Sequence, residues 1–507
     1  MNMRKYYDLL ALRRSKRLLL SNRNPAHQTS LTESLRHPKP PPPPPSPPSF
    51  YSQIYRNTYR NNIVSHHRHF QLSNLHTSEL ATSLPDDHED TSPLDYQVTV
   101  KGREVISADV KLGTHHWLPL SNLDLLLPPV AAGVFFCYKK KDNVNMSYET
   151  VLKTIKASLG GVLSTFYPLA GEIVENRQGE PEGKLVPKIN GGVVAIQATE
   201  LNCGSIIISG VFNHQLADAY SIDMFLRAWA QYTRKESITN TPSFRPSVLN
   251  PRHPPFFTTS IDKLYIPISS LPPPSSFEEP LLGRMYYIHG ESIAKLQSEA
   301  STKETKRSKL LSFTAFVWKL LAHKDDDTTS RMGIVVNGRR FLAESGEKDS
   351  PLLGNHFGNV LSIPYGMARN NDLKEMTLHE VANEVHKFVA KATNEEHFRE
   401  LIDWVELQRP NTTVARIYFG LKKSEGEAVV VSAGQGLPVK DMDFGWGKPE
   451  FGSYHFPWGS RTGYITTMPS GKKNGDWVVY MHLKEEDFNL IDSMAPHVFT
   501  PLTYYHI

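Results

Sequence analysis

Short strand patterns and amphipathic helix patterns alternate along the chain from residue 94 to the C-terminus. The stretch SIIISGVF has the length and β-branched content of a buried strand, whereas SYETVLKTIKASLGGVLSTF repeats apolar residues at spacings of three and four. Since strands and helices are mixed in this way, we predict an α/β fold of the mixed α+β kind. No run of eighteen apolar residues occurs in the sequence, so we predict no membrane partner.

Residues 1–93 do not share this alternation and have a different composition. Residues 1–75 carry twelve Lys or Arg against two acids, and PKPPPPPPSPPSF at 38–50 favours a stiff polyproline II spacer. We predict a disordered, basic and proline-rich extension at 1–93 on a cytoplasmic protein. The arginine-rich, amphipathic first twenty residues keep plastid or mitochondrial targeting open as an alternative.

The charge outside this extension argues against a nucleic-acid partner. The whole chain has a net charge of +4, and removing the +10 of residues 1–75 leaves −6 for residues 76–507. A mildly acidic folded region offers no surface for phosphates, so we predict no nucleic-acid binding. Cys137 and Cys203 lie in apolar stretches and predict buried thiols rather than a disulfide or a zinc site.

A long proline-rich stretch divides the folded part of the chain. TPSFRPSVLNPRHPPFF and LPPPSSFEEP are too rich in proline for a helix or a central strand, which predicts a connection. Strand and helix patterns resume at MYYIHGESIAKLQSEAS. We therefore predict an N-terminal domain at 94–240, a crossover loop at 241–285 and a C-terminal domain at 286–507.

The segment GVFNHQLADAYS places His214 four positions before Asp218, directly after the buried-strand pattern. A neutral imidazole at a strand end can accept a proton near neutral pH, but a histidine satisfied by backbone groups fits equally well. No second ligand stands near His214 at metal-ligand spacing, so we predict no metal site. The same spacing at His323 and Asp327 falls in a charged turn, which indicates a solvent-exposed segment.

A second landmark, DFGWG at 443–447, places two glycines around a tryptophan and predicts a tight loop. The His-x-x-x-Asp and DFGWG motifs in this order resemble the plant BAHD family of acyl-CoA-dependent acyltransferases. WLPLSNLDLLLP, YPLAGE and GNHFGNV resemble further family segments, also in the same order. The resemblance covers about residues 94–507. Coniferyl alcohol acyltransferases look closest, and shikimate-type hydroxycinnamoyltransferases look more distant.

The resemblance implies two chloramphenicol-acetyltransferase-like domains with a channel at their interface. His214 would act as general base and deprotonate the acceptor, which then attacks the thioester of acyl-CoA. Asp218 would pair with an arginine and hold the histidine loop, and Asp443 would pair with Arg339. The implied partners are acyl-CoA as co-substrate and a small alcohol or amine acceptor. A monomer without a permanently bound cofactor is expected.

The resemblance also assigns roles to other residues around the site. Residues with structural roles there would be Asp218, Arg339, Asp443, Gly445, Trp446 and Gly447. Candidates for the oxyanion or acceptor pocket are Ser432 and Trp446, and candidates for CoA contacts are Ser312, Asn355 and Asn359.

Three departures from the family pattern affect these expectations. Ser432 and Gly434 stand where shikimate-type members have Thr and Trp, which implies a roomier acceptor pocket and argues against shikimate. His356 replaces a usual Tyr and is expected to be peripheral. The chain also lacks strand-forming sequence that the family has near 181–184, so neighbouring backbone groups are expected to lose partners.

We predict an acyl-CoA-dependent O-acyltransferase that transfers an acyl group, by preference acetyl, to the hydroxyl of a phenylpropanoid-type alcohol. Two alternatives stay open. One is a catalytically impaired BAHD-like protein that acts through partners, which the missing segment favours. The other is a hydroxycinnamoyl-CoA transferase with a different acceptor.

Overall fold

A computed structural model gives the coordinates of the chain, and every structural statement below concerns the residues that it describes. These residues are 99, 101–110, 117–127, 130–140, 147–175, 181–184, 192–270, 281–324, 327–343, 353–409, 411–419, 425–456, 462–472 and 475–507. The extension predicted at 1–93, with its polyproline run, lies outside the described residues.

The part of the chain before the proline-rich connection forms strands β1 to β6 and helices α1 and α2. The strands are β1 (Trp117–Pro119), β2 (Ala131–Tyr138), β3 (Glu172–Glu175), β4 (Pro181–Lys184), β5 (Val194–Glu200) and β6 (Ile206–Asn213). The helices are α1 (Tyr148–Thr165) and α2 (Ala219–Thr233).

Strand β6 forms because its alternate residues suit a half-buried sheet. Ile206, Ile208 and Phe212 are buried, and the residues between them are only half-buried or are glycine. The carboxylate of Asp218 then caps α2 by accepting a hydrogen bond from the amide of Ser221 at 3.0 Å. The sequence thus ends a strand and begins a helix across one short turn, which contains the motif histidine.

The proline-rich connection contains more regular structure than the sequence predicts. It forms a short helix α3 (Thr259–Asp262) and a strand β7 (Tyr265–Pro267), which pairs antiparallel with β13 (Thr413–Ala415). Proline is tolerated at the end of β7 because this two-stranded sheet has only edge strands. The expectation of a connection without elements is therefore wrong for this part of the stretch.

The part of the chain after the connection contributes most of the remaining elements. Its strands besides β13 are β8 (Leu282–Ile288), β9 (Thr329–Ile334), β10 (Val336–Asn337), β11 (Leu361–Ser362), β12 (Tyr365–Arg369), β14 (Glu425–Ala433), β15 (Phe451–His455), β16 (Thr462–Pro469), β17 (Trp477–Leu483) and β18 (Thr500–Pro501). Its helices are α4 (Gly290–Glu299), α5 (Lys309–Leu321), α6 (Arg339–Ala343), α7 (Asn370–Glu375), α8 (Leu378–Ala392), α9 (Glu395–Gln408) and α10 (Glu485–Met494).

Two larger sheets organise these elements. One has seven strands in the order β12-β9-β14-β16-β17-β8-β18, and the other has four in the order β15-β2-β6-β5. Strand β15 comes late in the chain, yet it pairs with β2, with Phe451 opposite Cys137. The Tyr138 hydroxyl strengthens this junction by donating to the carbonyl of Met442 at 2.8 Å. Strand β15, which follows the connection, thus completes a sheet whose other strands precede it. The domain boundaries at 94–240, 241–285 and 286–507 assume that each domain is continuous in the chain, and they stay a prediction.

A small three-stranded sheet lies near 181–184, where the sequence predicts that a family segment is missing. Strand β4 lies between β1 and β3 and pairs antiparallel with both, with Gly183 opposite Leu118 on one side and Ile173 on the other. The loss of backbone partners expected near 181–184 is therefore not found there. In the four-stranded sheet, the described residues leave β5 as an edge strand paired with β6 alone.

The two cysteines differ, and the prediction for one of them is wrong. Cys137 is half-buried on β2, and burial raises the pKa of its thiol to about 12. Cys203 is exposed, because it falls in the turn between β5 and β6 rather than in a strand. Within the described ranges, no three His, Cys, Asp or Glu side chains gather as a metal site. Among the same residues, no helix combines the length and the apolar character needed to cross a membrane.

Candidate active site

The motif histidine lies in a tight turn directly after β6. The amide of His214 donates to the carbonyl of Val130 at 2.9 Å, which ties the turn to the start of β2. The Asn213 side chain accepts from the amide of Gln215 at 2.9 Å, and its carbonyl accepts from Leu216 at 3.1 Å. These bonds satisfy the turn locally, so the His214 side chain is not needed to hold the backbone.

Asp218 closes the turn and forms a buried ion pair with Arg339. The guanidinium donates to Asp218 Oδ2 at 2.6 Å and to Oδ1 at 3.1 Å, and the amide of Val360 adds a donor at 3.1 Å. Burial alone would raise the pKa of Asp218, but the charge and hydrogen bonds of Arg339, with amides of Ser221 and Val360, hold it below its ordinary value. Asp218 is thus an ionised anchor of the turn.

A second anchor, which the sequence analysis missed, joins Asp124 to the same turn through Asn359. The Asn359 amide group donates to the carbonyls of His214 at 2.9 Å and Gln215 at 3.1 Å. It also donates to Asp124 Oδ1 at 2.9 Å, as does the Asn359 backbone amide at 2.7 Å. Ser121 supplies two donors to Asp124 Oδ2. The one sequence signal was the group of polar residues Ser121, Asn122 and Asp124 inside an otherwise apolar stretch.

Asp124 is a buried carboxyl with an altered acidity. Burial raises its pKa to about 6, although hydrogen bonds from Ser121 and Asn359 lower it. Asn359 itself is fully buried, and its side-chain amide nitrogen lies within hydrogen-bond distance of protein oxygens. The structure therefore gives Asn359 a role in holding the turn, and its contact with CoA stays a prediction.

The His214 ring is half-buried, and its Nδ1 atom is buried without a hydrogen-bond partner. Burial lowers the pKa of His214 from its ordinary value. Its own backbone, the charge of Asp218 and the side chain of Asn359 raise the pKa, but by less. The ring is therefore neutral at neutral pH. The Phe456 ring meets it edge-on, with ring centres 5.7 Å apart and planes at 86°.

An aromatic wall continues from Phe456 toward the strand that carries Ser432. Phe456 packs on Tyr464 with ring centres 4.6 Å apart, and the Tyr464 hydroxyl lies close to the side chains of Ser432 and Thr466. A Cβ atom at Gly434 would lie only 2.8 Å from the Thr466 methyl group. A side chain at position 434 would thus crowd its neighbours, and the roomier acceptor pocket stays a prediction.

The DFGWG loop is held by its own aspartate. The Asp443 carboxylate accepts from the amides of Gly445 at 2.8 Å and Gly447 at 3.0 Å, and both glycines adopt positive φ, at 106° and 108°. The Asp443 carbonyl accepts from Arg234. The predicted pairing of Asp443 with Arg339 is wrong, because Asp218 takes that guanidinium and the local turn takes the Asp443 carboxylate.

Trp446 packs inside this loop. Its ring stacks on Phe444 with centres 5.4 Å apart and meets Tyr138 edge-on at 6.0 Å. Phe444 in turn packs on Trp229 of α2. The loop thus supports the helix that follows the motif turn, and no described contact joins Trp446 to His214.

No described contact joins the turn to the other predicted CoA residues or to the second motif. Ser312 is fully buried in α5, where its hydroxyl donates to the carbonyl of Ser308 at 2.9 Å. Asn355 is exposed, and its carbonyl accepts from the amide of Ser243. His323 is exposed after α5, as its charged surroundings predict.

The fold is shared with solved acyltransferase structures. TRI101 of F. graminearum, complexed with coenzyme A and T-2 mycotoxin, matches with a TM-score of 0.60 at 13% identity, over 75% of this chain and 98% of that one. Vinorine synthase matches with a TM-score of 0.57 at 19% identity, over 78% of this chain and 98% of that one. The fold is therefore the two-domain, chloramphenicol-acetyltransferase-like fold of acyltransferases.

The sequence profile described as the Transferase family matches residues 96–184 and 183–497. The chain belongs to this family, the BAHD acyltransferases, and is an O-acyltransferase whose family uses acyl-CoA as co-substrate. The two matched parts overlap at 183–184, where the sequence predicts that a family segment is missing.

Two curated relatives cover most of the chain. The hydroxycinnamoyltransferase of Narcissus pseudonarcissus is 23% identical over 417 residues, which cover 72% of this chain and 92% of that enzyme. The acetyl-CoA-benzylalcohol acetyltransferase of Clarkia breweri is 24% identical over 418 residues, which cover 71% and 90%. Because the names of these relatives give different acyl groups, family membership does not identify the donor.

Proposed function

We propose that the protein transfers an acyl group, by preference acetyl, from its CoA thioester to the hydroxyl of a phenylpropanoid-type alcohol, with His214 as general base. The observation that carries this proposal is the state of His214: a neutral, half-buried ring in a turn held by two buried carboxylates. A base held in this way keeps its orientation while it exchanges a proton with a reactant.

The reaction follows from the chemistry of that ring. With Nδ1 buried, Nε2 is the ring nitrogen that takes the proton from the acceptor hydroxyl. The hydroxyl oxygen attacks the thioester carbonyl, and the resulting tetrahedral oxyanion collapses to the ester as the carbon–sulfur bond breaks. The imidazolium then returns its proton to the CoA thiolate. No covalent intermediate with the protein is needed.

The acceptor class is supported by the aromatic wall next to His214. Phe456 and Tyr464 present rings along one side of the site, and an aromatic acceptor can pack on them. Ser432 lies close to the Tyr464 hydroxyl and is the polar group that we assign to the acceptor pocket. The acetyl donor is supported by the Clarkia breweri relative and by the resemblance to coniferyl alcohol acyltransferases.

The proposal is tested by following the release of free CoA thiol from acetyl-CoA in the presence of coniferyl alcohol. We expect release by the wild-type protein and a loss of about 10²–10⁴-fold in His214→Ala, the usual contribution of a general base. Release from p-coumaroyl-CoA but not from acetyl-CoA would instead support the hydroxycinnamoyl-CoA transferase.

A non-catalytic role through protein partners is the second candidate, and the observation that favours it is the break in the family match at 183–184. If neither donor is consumed above the His214→Ala background, with several alcohols and amines offered, the enzymatic proposal fails and this candidate replaces it.

A further inference from the structure

His356 is not peripheral, contrary to the expectation from the sequence. Its side chain is only 3% exposed, and both ring nitrogens are buried without a hydrogen-bond partner. Nearly all buried polar groups in proteins are paired with protein or with ordered water. The unpaired ring therefore indicates that a small polar ligand belongs beside it.

His356 and Asp124 approach each other beside Gly358. The point that a Cβ atom of Gly358 would occupy lies 2.8 Å from His356 Nε2 and 3.4 Å from Asp124 Oδ1. The two polar atoms are therefore close enough to each other for one water molecule to reach both. A side chain at 358 would bring its Cβ atom into contact with the His356 ring.

A small cavity borders the same two side chains. It has a volume of about 20 Å³ and is lined by Asp124, His356 and apolar groups that include Leu216 and Phe357. A cavity holds one water molecule when it offers more than about 10–15 Å³ and at least two polar partners. The cavity meets both conditions and is too small for a substrate.

We propose that one buried water molecule bridges His356 Nε2 and Asp124 Oδ1, and that His356 is thereby a positioning residue for His214. The connection runs from His356 through the water to Asp124, then through Asn359 to the carbonyl of His214. The positioning role rests on the proposed function of His214, whereas the water site does not depend on it.

The donors and acceptors along this connection are compatible. Burial and the Arg339 charge lower the pKa of His356 to about 4, so its ring is neutral and has one N–H to donate. The ionised Asp124 carboxylate only accepts. The water accepts the Nε2 proton of His356 and donates one of its own to Asp124 Oδ1, which already receives two donors from Asn359.

The water site is tested first by a high-resolution crystal structure of the full-length protein. We expect density for a water within hydrogen-bond distance of both His356 Nε2 and Asp124 Oδ1. The water should be lost in Gly358→Ala, because the new Cβ atom would lie 2.8 Å from His356 Nε2 and displace the ring. The matched control is Gly354→Ala in the same segment, where a Cβ atom would meet nothing within 4 Å. A wild-type structure without this density overturns the proposal.

The positioning role is tested with His356→Leu and His356→Gln, because only glutamine can still bond to the water. We expect kcat of His356→Leu to fall about tenfold to a hundredfold, the usual scale for a displaced catalytic group, with KM little changed. His356→Gln should retain most of the wild-type kcat. Equal activity of His356→Leu and wild type refutes the positioning role.

A second readout does not require turnover, and so separates this proposal from the proposed function. NMR of labelled histidines follows the titration of His214 in both variants. In His356→Leu the turn loosens and solvates the ring, so the pKa of His214 rises toward its ordinary 6.5. In His356→Gln it stays lowered. An unchanged His214 titration in His356→Leu would contradict the connection even in an inactive protein.

Discussion

The chain contains the spacing His-x-x-x-Asp twice, and the two copies differ in almost every physical respect. At 214–218 the carboxylate is buried, ionised and bonded to a guanidinium and two amides, and the histidine is half-buried. At 323–327 the histidine and the aspartate are both exposed. The difference comes from distant residues, since Arg339 and Asn359 reach the first copy from another part of the chain. A motif becomes a site only when other segments supply its partners.

The largest expected effect compares the two histidines directly. His214→Ala should lower kcat by about 10²–10⁴-fold because the general base is removed, whereas His323→Ala should leave kcat unchanged. Both variants should keep the wild-type circular dichroism spectrum. A comparable loss of activity in both variants would break the comparison, since it would mean that the spacing alone matters.

The next effect compares the two aspartates by urea unfolding. Asp218→Ala leaves the Arg339 charge buried without its partner and should cost about 3–5 kcal/mol of unfolding free energy. Asp327→Ala should cost less than about 1 kcal/mol, because exposed charge interactions contribute little. If the double variant Asp218→Leu/Arg339→Met recovers much of the stability lost in Asp218→Ala, the loss comes from the unpaired charge.

A smaller effect is expected from the second anchor, and Asn355 provides the matched control in the same segment. Asn359→Ala removes donors to the His214 and Gln215 carbonyls and should cost about 1–3 kcal/mol of unfolding free energy. Its kcat should fall as well, while its KM for acyl-CoA stays near the wild-type value. Asn355→Ala should not change stability. A selective rise in KM for acyl-CoA in Asn359→Ala would instead support the predicted contact of Asn359 with CoA.

The smallest expected effect is a shift in the pH dependence of activity. Burial lowers the pKa of His214 below 6.5, so activity should rise as the pH increases through that lowered pKa, with its half-maximal value below pH 6.5. Activity rises with pH because a protonated imidazole cannot take the proton of the acceptor hydroxyl. The pKa of His323 is also lowered, by partial burial and by Lys374 and Lys319, yet His323→Ala should leave the acid limb of kcat in place. An acid limb of activity with its midpoint above pH 6.5 would contradict the lowered pKa of His214.

Local patterns in the sequence predicted the part of the site that local forces build. The strand before His214 and the helix after it have clear periodicity, whereas the capping of that helix by Asp218 was not predicted. The DFGWG glycines also predicted a tight loop, because the positive φ that such a loop requires is a local property of glycine.

The remaining features depend on which segments meet, and no periodicity encodes that. Asp124 and Asn359 are separated by 235 positions, so the second anchor was not visible in either segment. The predicted pairing of Asp443 with Arg339 was wrong because amides of its own turn hold the Asp443 carboxylate. The Arg339 guanidinium is held by the distant Asp218. His356 was expected to be peripheral because burial is decided by packing rather than by the residue type.

Strand β15 has a consequence for the order in which the protein becomes functional during synthesis. The contact between Tyr138 and Met442 spans 304 positions, and Phe456, which meets His214, follows directly after β15. Until this strand has been synthesised, β2 is an edge strand of the sheet and the histidine turn lacks the ring of Phe456. The site is therefore assembled only after residue 456 has been synthesised, and a chain truncated before residue 451 lacks both β15 and the ring that faces the histidine.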